Sequence, residues 1–260
     1  MSLLTDLTDG SVQDALARQE QRPLADVERA ALALAPARDA VAALAPADRI
    51  KIIAEVKRAS PSRGQLAEIP DPAAQAERYE LGGASAISVL TEQRRFRGTL
   101  ADLTAVRDRV SLPVLRKDFI ATPYQVFEAR AAGADIVLLI VAALEQQVLE
   151  ELYALVRQLG MTPLVEAHTA DEVARAASLG ASLIGVNARD LSTFELDQNL
   201  FGRLAESIPS DAIKIAESAV KTPADVAHYR AAGADVVLIG EALVTGDPVA
   251  TLASFLEAGQ

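Results

Sequence analysis

Cysteine and tryptophan are missing from this 260-residue chain, histidine and methionine occur twice each, and aromatic residues make up only 4%. Without cysteine there are no disulfides, no thiolate nucleophile and no cysteine-ligated metal. His168 and His228 lie sixty residues apart and form no short ligand motif. Long apolar runs are also lacking. The longest uncharged one, Ile136 to Leu144, is too short to span a bilayer. No secretory leader is read, since the first basic residue is Arg18 and acidic residues interrupt the early apolar positions. Basic residues are outnumbered, 25 Lys+Arg against 36 Asp+Glu, and the net charge of −11 argues against non-specific binding to nucleic acid or anionic membranes. An anionic ligand would therefore need locally concentrated positive charge. With half of its residues hydrophobic, the chain can bury a large core. The expectation is a soluble cytoplasmic protein with one domain over 1–260.

What the chain does have is a set of five short apolar runs that each end in an ionisable or amide residue. They are Ile52-Ile53-Ala54-Glu55-Val56-Lys57, Pro113-Val114-Leu115-Arg116-Lys117, Pro163-Leu164-Val165-Glu166, Leu183-Ile184-Gly185-Val186-Asn187 and Ile213-Lys214-Ile215-Ala216-Glu217. Each reads as a buried parallel strand. A buried strand has no packing reason to finish in a charge, but strands whose C-terminal ends converge on one pocket do.

An internal repeat supplies the remaining strands. Arg130-Ala131-Ala132-Gly133-Ala134-Asp135-Ile136-Val137-Leu138 returns as Arg230-Ala231-Ala232-Gly233-Ala234-Asp235-Val236-Val237-Leu238, with weaker copies around Gly83 and Gly180. The pattern reads as a helix end, a left-handed glycine cap and a strand. These units interleave with the charge-ended strands at roughly twice the length of one βα unit. They predict an α/β fold, a single (β/α)8 TIM barrel, in preference to a doubly wound open sheet. Residues 1–48 predict an N-terminal helical extension of two or three helices that caps the barrel or borders its mouth. The long Ser/Pro/Gly-containing loop from Lys57 to Pro72 is a candidate lid.

Strand alternation places Glu55 and Lys57 on one face, and Asn187 and Arg189 likewise. With Lys117, Glu166 and Glu217, the upper rim would hold two ammoniums, three carboxylates, an amide and a guanidinium. Opposite charges at close range tune proton affinity, which suits general acid–base work. The alternative is a structural ring of salt bridges closing the barrel. The end of the last strand, Gly240-Glu241, opens a short helix, and with Ser218-Ala219 it offers backbone amides for a phosphate. Lys57, Arg58 and Arg63 would add positive charge at the same mouth. His168, two residues after Glu166, reads as an ordinary loop histidine.

Several of these segments resemble the indole-3-glycerol phosphate synthase family of tryptophan biosynthesis. They are Ile53-Ala54-Glu55-Val56-Lys57-Arg58-Ala59-Ser60-Pro61-Ser62, Leu115-Arg116-Lys117-Asp118-Phe119-Ile120, Ile184-Gly185-Val186-Asn187-Ala188-Arg189-Asp190-Leu191, Ala216-Glu217-Ser218 and Ile239-Gly240-Glu241-Ala242-Leu243. They run in the family's order, and the resemblance covers roughly residues 5 to 255. The first segment is highly specific, whereas Gly-Glu-Ala-Leu alone is not. The resemblance implies a carboxy-lyase acting on an anionic sugar phosphate, 1-(o-carboxyphenylamino)-1-deoxyribulose 5-phosphate, with no cofactor and no metal. It implies ring closure with Lys117 as acid and dehydration assisted by Lys57, Glu55 and Glu166. Asn187, Arg189, Glu217 and Ser218 would orient substrate and polar network, and Ser60, Ala219, Gly240 and Glu241 would border the phosphate or substrate. The charge balance leaves no nucleic-acid or membrane partner expected, and the chain is expected to be a monomer or weak oligomer. The chain departs from the family's pattern twice. Glu217-Ser218-Ala219 replaces Glu-Ser-Gly, which strains residue 219 if φ is positive there. Asn187-Ala188-Arg189 replaces Asn-Asn-Arg. The rival readings are another phosphate-binding barrel isomerase, a Schiff-base aldolase using Lys57 or Lys117, and a non-catalytic barrel acting as a binding subunit.

Overall fold

In the computed structural model, which describes residues 2–190 and 195–260, alternation along each apolar run decides what faces inward. The strands are β1 (Lys51–Val56), β2 (Ala86–Leu90), β3 (Val114–Lys117), β4 (Ile136–Ile140), β5 (Thr162–Ala167), β6 (Leu183–Asn187), β7 (Ile213–Glu217) and β8 (Val236–Ile239). All pair in parallel with their sequence neighbours, and β8 pairs with β1 to close the barrel. On β4, Ile136, Leu138 and Ile140 join the interior cluster, while Val137 and Leu139 face the surrounding helices. The expected (β/α)8 barrel is therefore what the chain forms.

The helices outside the barrel are α4 (Pro72–Leu81), α5 (Leu100–Arg109), α6 (Pro123–Ala131), α7 (Gln146–Gln158), α8 (Ala170–Ser178), α9 (Leu200–Leu204), α10 (Pro223–Ala231) and α11 (Pro248–Ala258), preceded by α1 (Leu3–Gln21), α2 (Leu24–Ala33) and α3 (Ala40–Leu44). The repeat glycines 83, 133, 180 and 233 all have positive φ, as a left-handed helix cap requires. The aspartates of the repeat have a physical role too. Asp135 accepts from Val114 N and Asp235 from Lys214 N, each at 2.9 Å, so each carboxylate binds the preceding barrel strand at its start.

The N-terminal extension reaches both ends of the barrel. At the mouth, α1 presents Leu7 to the pocket, and Ser11 Oγ donates to Asp118 at 2.9 Å. α2 lies against α6. At the base, Arg38 N donates to Asp135 at 2.8 Å, and Ala40 and Leu44 of α3 join the interior cluster. The loop after β1 folds back on itself, pairing Ala59-Ser60 with Gly64-Gln65 in a short antiparallel ladder. Among the described residues, no helix is long and apolar enough to cross a membrane.

Candidate active site

The top layer of the barrel interior is where each strand's inward alternation meets its charged end. Leu115 is followed two residues on by Lys117, Leu164 by Glu166, and Ile215 by Glu217, and the apolar residue of each pair belongs to the interior cluster. Register brings these ends level: Asn187 pairs with Glu217, Ile140 with Glu166, and Leu90 with Lys117. Lys117 Nζ consequently donates to Glu217 at 2.8 Å and to Glu166 at 3.1 Å. Asn187 Nδ2 donates to Glu166 at 3.2 Å, and Ser218 Oγ donates to Asn187 Oδ1 at 2.7 Å. Lys57 and Glu55 form a second pair at 2.7 Å. Arg189 lines the same pocket, with its backbone N–H on Asn187 Oδ1 at 3.0 Å.

Burial sets the electrostatics. Glu166 and Glu217 are each 1% exposed. Burial alone would lower the Lys117 ammonium, but the carboxylates of Glu217, Glu166 and Glu55 outweigh it and raise its pKa above the ordinary lysine value. The two carboxylates then diverge. Burial and the neighbouring Glu166 push Glu217 up to about 8 against the pull of Lys117. Glu166 is itself buried, yet Lys117, His168 and the Asn187 amide hold it below the usual carboxylate range. Two carboxylates forced apart in this way can serve as a base and a proton carrier near neutral pH.

Every site residue read from the sequence lies at this mouth. Glu55, Lys57, Ser60, Lys117, Glu166, Asn187, Arg189, Glu217, Ser218, Ala219, Gly240 and Glu241 all border the cavity. Leu191, part of a resembling segment, lies outside the described residues. Two expectations change. Arg58 does not add charge to the mouth: it turns away to hold Asp102 at 2.6 and 3.0 Å and Ile69 O at 3.0 Å. His168 is not an ordinary loop histidine, because its ring lies 3.6 Å from Glu166 and 3.4 Å from Glu172. Glu241 reaches Arg63 at 2.6 Å and so ties the β1 loop to the turn after β8. The positive φ feared at residue 219 is present, at 58°, and Ser218 shares it at 70°. Ala188 is buried, with its N–H on Glu217 O at 3.0 Å.

Sequence reasoning passed over two kinds of residue. One is the apolar wall facing the charges, which includes Leu7, Phe96, Phe119, Leu138, Ile140 and Leu238. The inward spacing of Leu138 and Ile140 on β4 could have signalled part of it. The other is Gly185, kept for close approach, a need that Gly240, read as a phosphate amide, shares. A Cβ on Gly185 would lie 2.2 Å from Glu217 Oε1, and one on Gly240 would lie 2.6 Å from Glu55 Oε1 and 3.1 Å from Lys57 Nζ.

Fold and pocket together define a (β/α)8 barrel whose mouth is equipped for acid–base chemistry beside an apolar wall. Comparison with known proteins then gives the family: the family model "Indole-3-glycerol phosphate synthase" matches residues 5–254, and the chain belongs to that family. It is 74% identical over 255 residues to the indole-3-glycerol phosphate synthase of Leifsonia xyli subsp. xyli, covering 98% of each chain. It is 56% identical over 260 residues to that of Rhodococcus jostii, covering 100% of this chain and 96% of the relative. Among solved structures, 3-hexulose-6-phosphate synthase from Salmonella typhimurium matches with a TM-score of 0.63 at 16% identity, over 80% of this chain and 98% of that one, a likeness of fold.

Proposed function

We propose that indole-ring closure takes place among the charged strand ends at the barrel mouth, with Lys117 as the acid. The reaction itself follows from family membership: the chain is a carboxy-lyase of tryptophan biosynthesis that forms indole-3-glycerol phosphate. Its phosphorylated substrate is 1-(o-carboxyphenylamino)-1-deoxyribulose 5-phosphate. An aromatic carbon attacks the ribulose carbonyl, carbon dioxide leaves, and water is eliminated.

The observation that carries the assignment of Lys117 is its ammonium held between Glu166 and Glu217 inside the pocket. The carbonyl oxygen becomes an alkoxide as the ring closes, and a positioned ammonium stabilises and then protonates it. The raised pKa keeps Lys117 protonated, which fits an acid and disfavours a Schiff-base nucleophile, since that role needs a neutral amine. Dehydration is assigned to Lys57 with Glu55 as the departing hydroxyl's acid pair and to Glu166 as base. Asn187, Arg189 and Ser218 orient substrate and carboxylates, and Glu217 carries a proton. The amides of Ser218, Ala219, Gly240 and Glu241, with Ser60 at the rim, take the phosphate. The apolar wall of Phe96, Phe119 and Leu138 suits the substrate's aromatic ring. We read the chain as one domain, because the extension is hydrogen-bonded to both ends of the barrel. We also read it as cytoplasmic, a monomer or weak oligomer, and independent of cofactor, metal and nucleic acid.

The test is indole emission on adding the substrate, against a low background because the chain has no tryptophan. Lys117→Ala should lower kcat by about 10²–10⁴-fold with a much smaller change in KM. Near-normal kcat in that variant would remove Lys117 from the role of acid.

A further inference from the structure

His168 follows β5 and lies beside Glu166 without itself lining the cavity. Its ring is almost fully enclosed, with the side chain 13% exposed. Nε2 lies 3.6 Å from Glu166 Oε1 and Nδ1 3.4 Å from Glu172 Oε2, ion-pair distances at which neither nitrogen forms a hydrogen bond. A neutral imidazole carries one N–H and one lone pair, so one of these contacts would set a lone pair against a carboxylate. Only the imidazolium, with a proton on each nitrogen, suits both. Glu172 is itself fixed in the first turn of α8: its carboxylate accepts from His168 N at 2.8 Å, and its own N–H donates to Thr169 Oγ1 at 3.2 Å. The other groups around the ring act through Glu166 or lie beyond it. Lys117 on β3 and Asn187 on β6 are both bonded to Glu166, and Glu217 projects from β7.

Lys117 is shared by two carboxylates and, on the reading above, gives up its proton during ring closure. Glu166 then needs another positive neighbour to remain an anion. We propose that His168, held as an imidazolium by Glu172, is a positioning residue that keeps Glu166 ionised and aimed into the site while Lys117 is neutral. The proposal rests on the assignment of Glu166 as an acid–base group. The electrostatics agree with the geometry: burial would lower His168, but Glu172 and Glu166 raise it above the ordinary histidine value.

The experiment combines a titration with a pH profile. Because the chain has two histidines, an NMR titration of the imidazole signals with His228→Asn isolates His168. His168 should titrate above the ordinary value of about 6.5 and fall by about one unit in Glu172→Gln and in Glu166→Gln. In His168→Gln, the acid limb of kcat should move up by about one pH unit, so that kcat below the limb drops about tenfold while KM changes less than about twofold. Glu172→Gln should move the limb the same way. A His168 that titrates at or below the ordinary value and ignores both glutamates would overturn the proposal without need of any His168 variant. An inactive Glu166→Gln beside an unchanged His168→Gln profile overturns this inference alone. Full turnover by Glu166→Gln would overturn the assignment of Glu166 and this inference with it.

Discussion

Ala219 holds φ at 58° next to Ser218 at 70°, both on the cavity wall. For an L-residue with a Cβ, the left-handed region costs about 1–2 kcal/mol. Ala219→Gly removes that strain, partly offset by the greater freedom glycine has in the unfolded chain. The variant should be more stable by about 0.5–1 kcal/mol, read as a higher urea midpoint at unchanged m, and should bind inorganic phosphate no more weakly. A lower midpoint would show that residue 219 is not strained. Here the sequence was informative, because a departure from the family's pattern named the position. It was equally informative for Glu55, Lys117, Glu166 and Glu217, whose charges at inward-alternating strand ends pointed to one converging pocket. It could not show Gly185 as a site residue, nor that Gly240, read as a phosphate amide, has no room for a side chain. What excludes a side chain there is the approach of a carboxylate from another strand, and local sequence does not carry that distance.

Arg116 and Lys117 are adjacent, and β3 sends them to opposite faces. Lys117 enters the pocket, whereas Arg116 turns outward and is wholly buried. There it donates to Asp118 at 2.9 Å and Gln125 O at 2.8 Å, and lies 3.5 Å from Glu128. Asp118 also receives Ser11 of α1, and Glu128 receives Arg18 of α1 at 2.6 and 2.8 Å. This charge network therefore joins β3, α6 and the extension. Arg116→Met would fill the space but leave Asp118 buried without its cation, at a cost of about 3–5 kcal/mol. A fall in Tm of about 10 °C is expected, and a change under about 2 °C would mean that the network contributes little. The loop after β1 gives the complementary lesson. Its composition announced a long loop at the mouth, but not where Arg58 and Arg63 would turn. Asp102 on α5 draws Arg58 away, and Glu241 draws Arg63 across. Both partners are remote in sequence, so charge alone could not decide it.

At the scale of the molecule, the barrel was legible because repeat spacing and strand patterning agree, and the direction of the whole charged layer follows from parallel register. The proton affinities were not legible, since they arise from burial that only the closed barrel creates. They have a consequence for stability. Glu217 is pushed up to about 8, whereas an unfolded glutamate titrates near 4.3. Below the unfolded value the carboxyl is neutral in both states, and its contribution to stability is fully present. As pH rises, the unfolded chain releases the proton first, so stability declines until the folded group ionises near about 8. His168, also raised, acts in the same sense: its contribution is present below the ordinary histidine value and lost as pH climbs through the folded one. Glu166, held low, acts in the opposite sense, and its contribution is lost only as pH falls into the acid range. Between about pH 6 and about pH 9 the first two dominate, so Tm should fall across that interval. Glu217→Gln is neutral throughout and removes one of the two causes, so its Tm should fall less steeply, the gain being largest at the alkaline end. The variant should also lose turnover, as expected where a functional proton carrier is kept at a cost in stability. Parallel slopes for the two proteins, measured by calorimetry at matched ionic strength, would show that Glu217 is already ionised at pH 6 and that Lys117 neutralises both carboxylates at once.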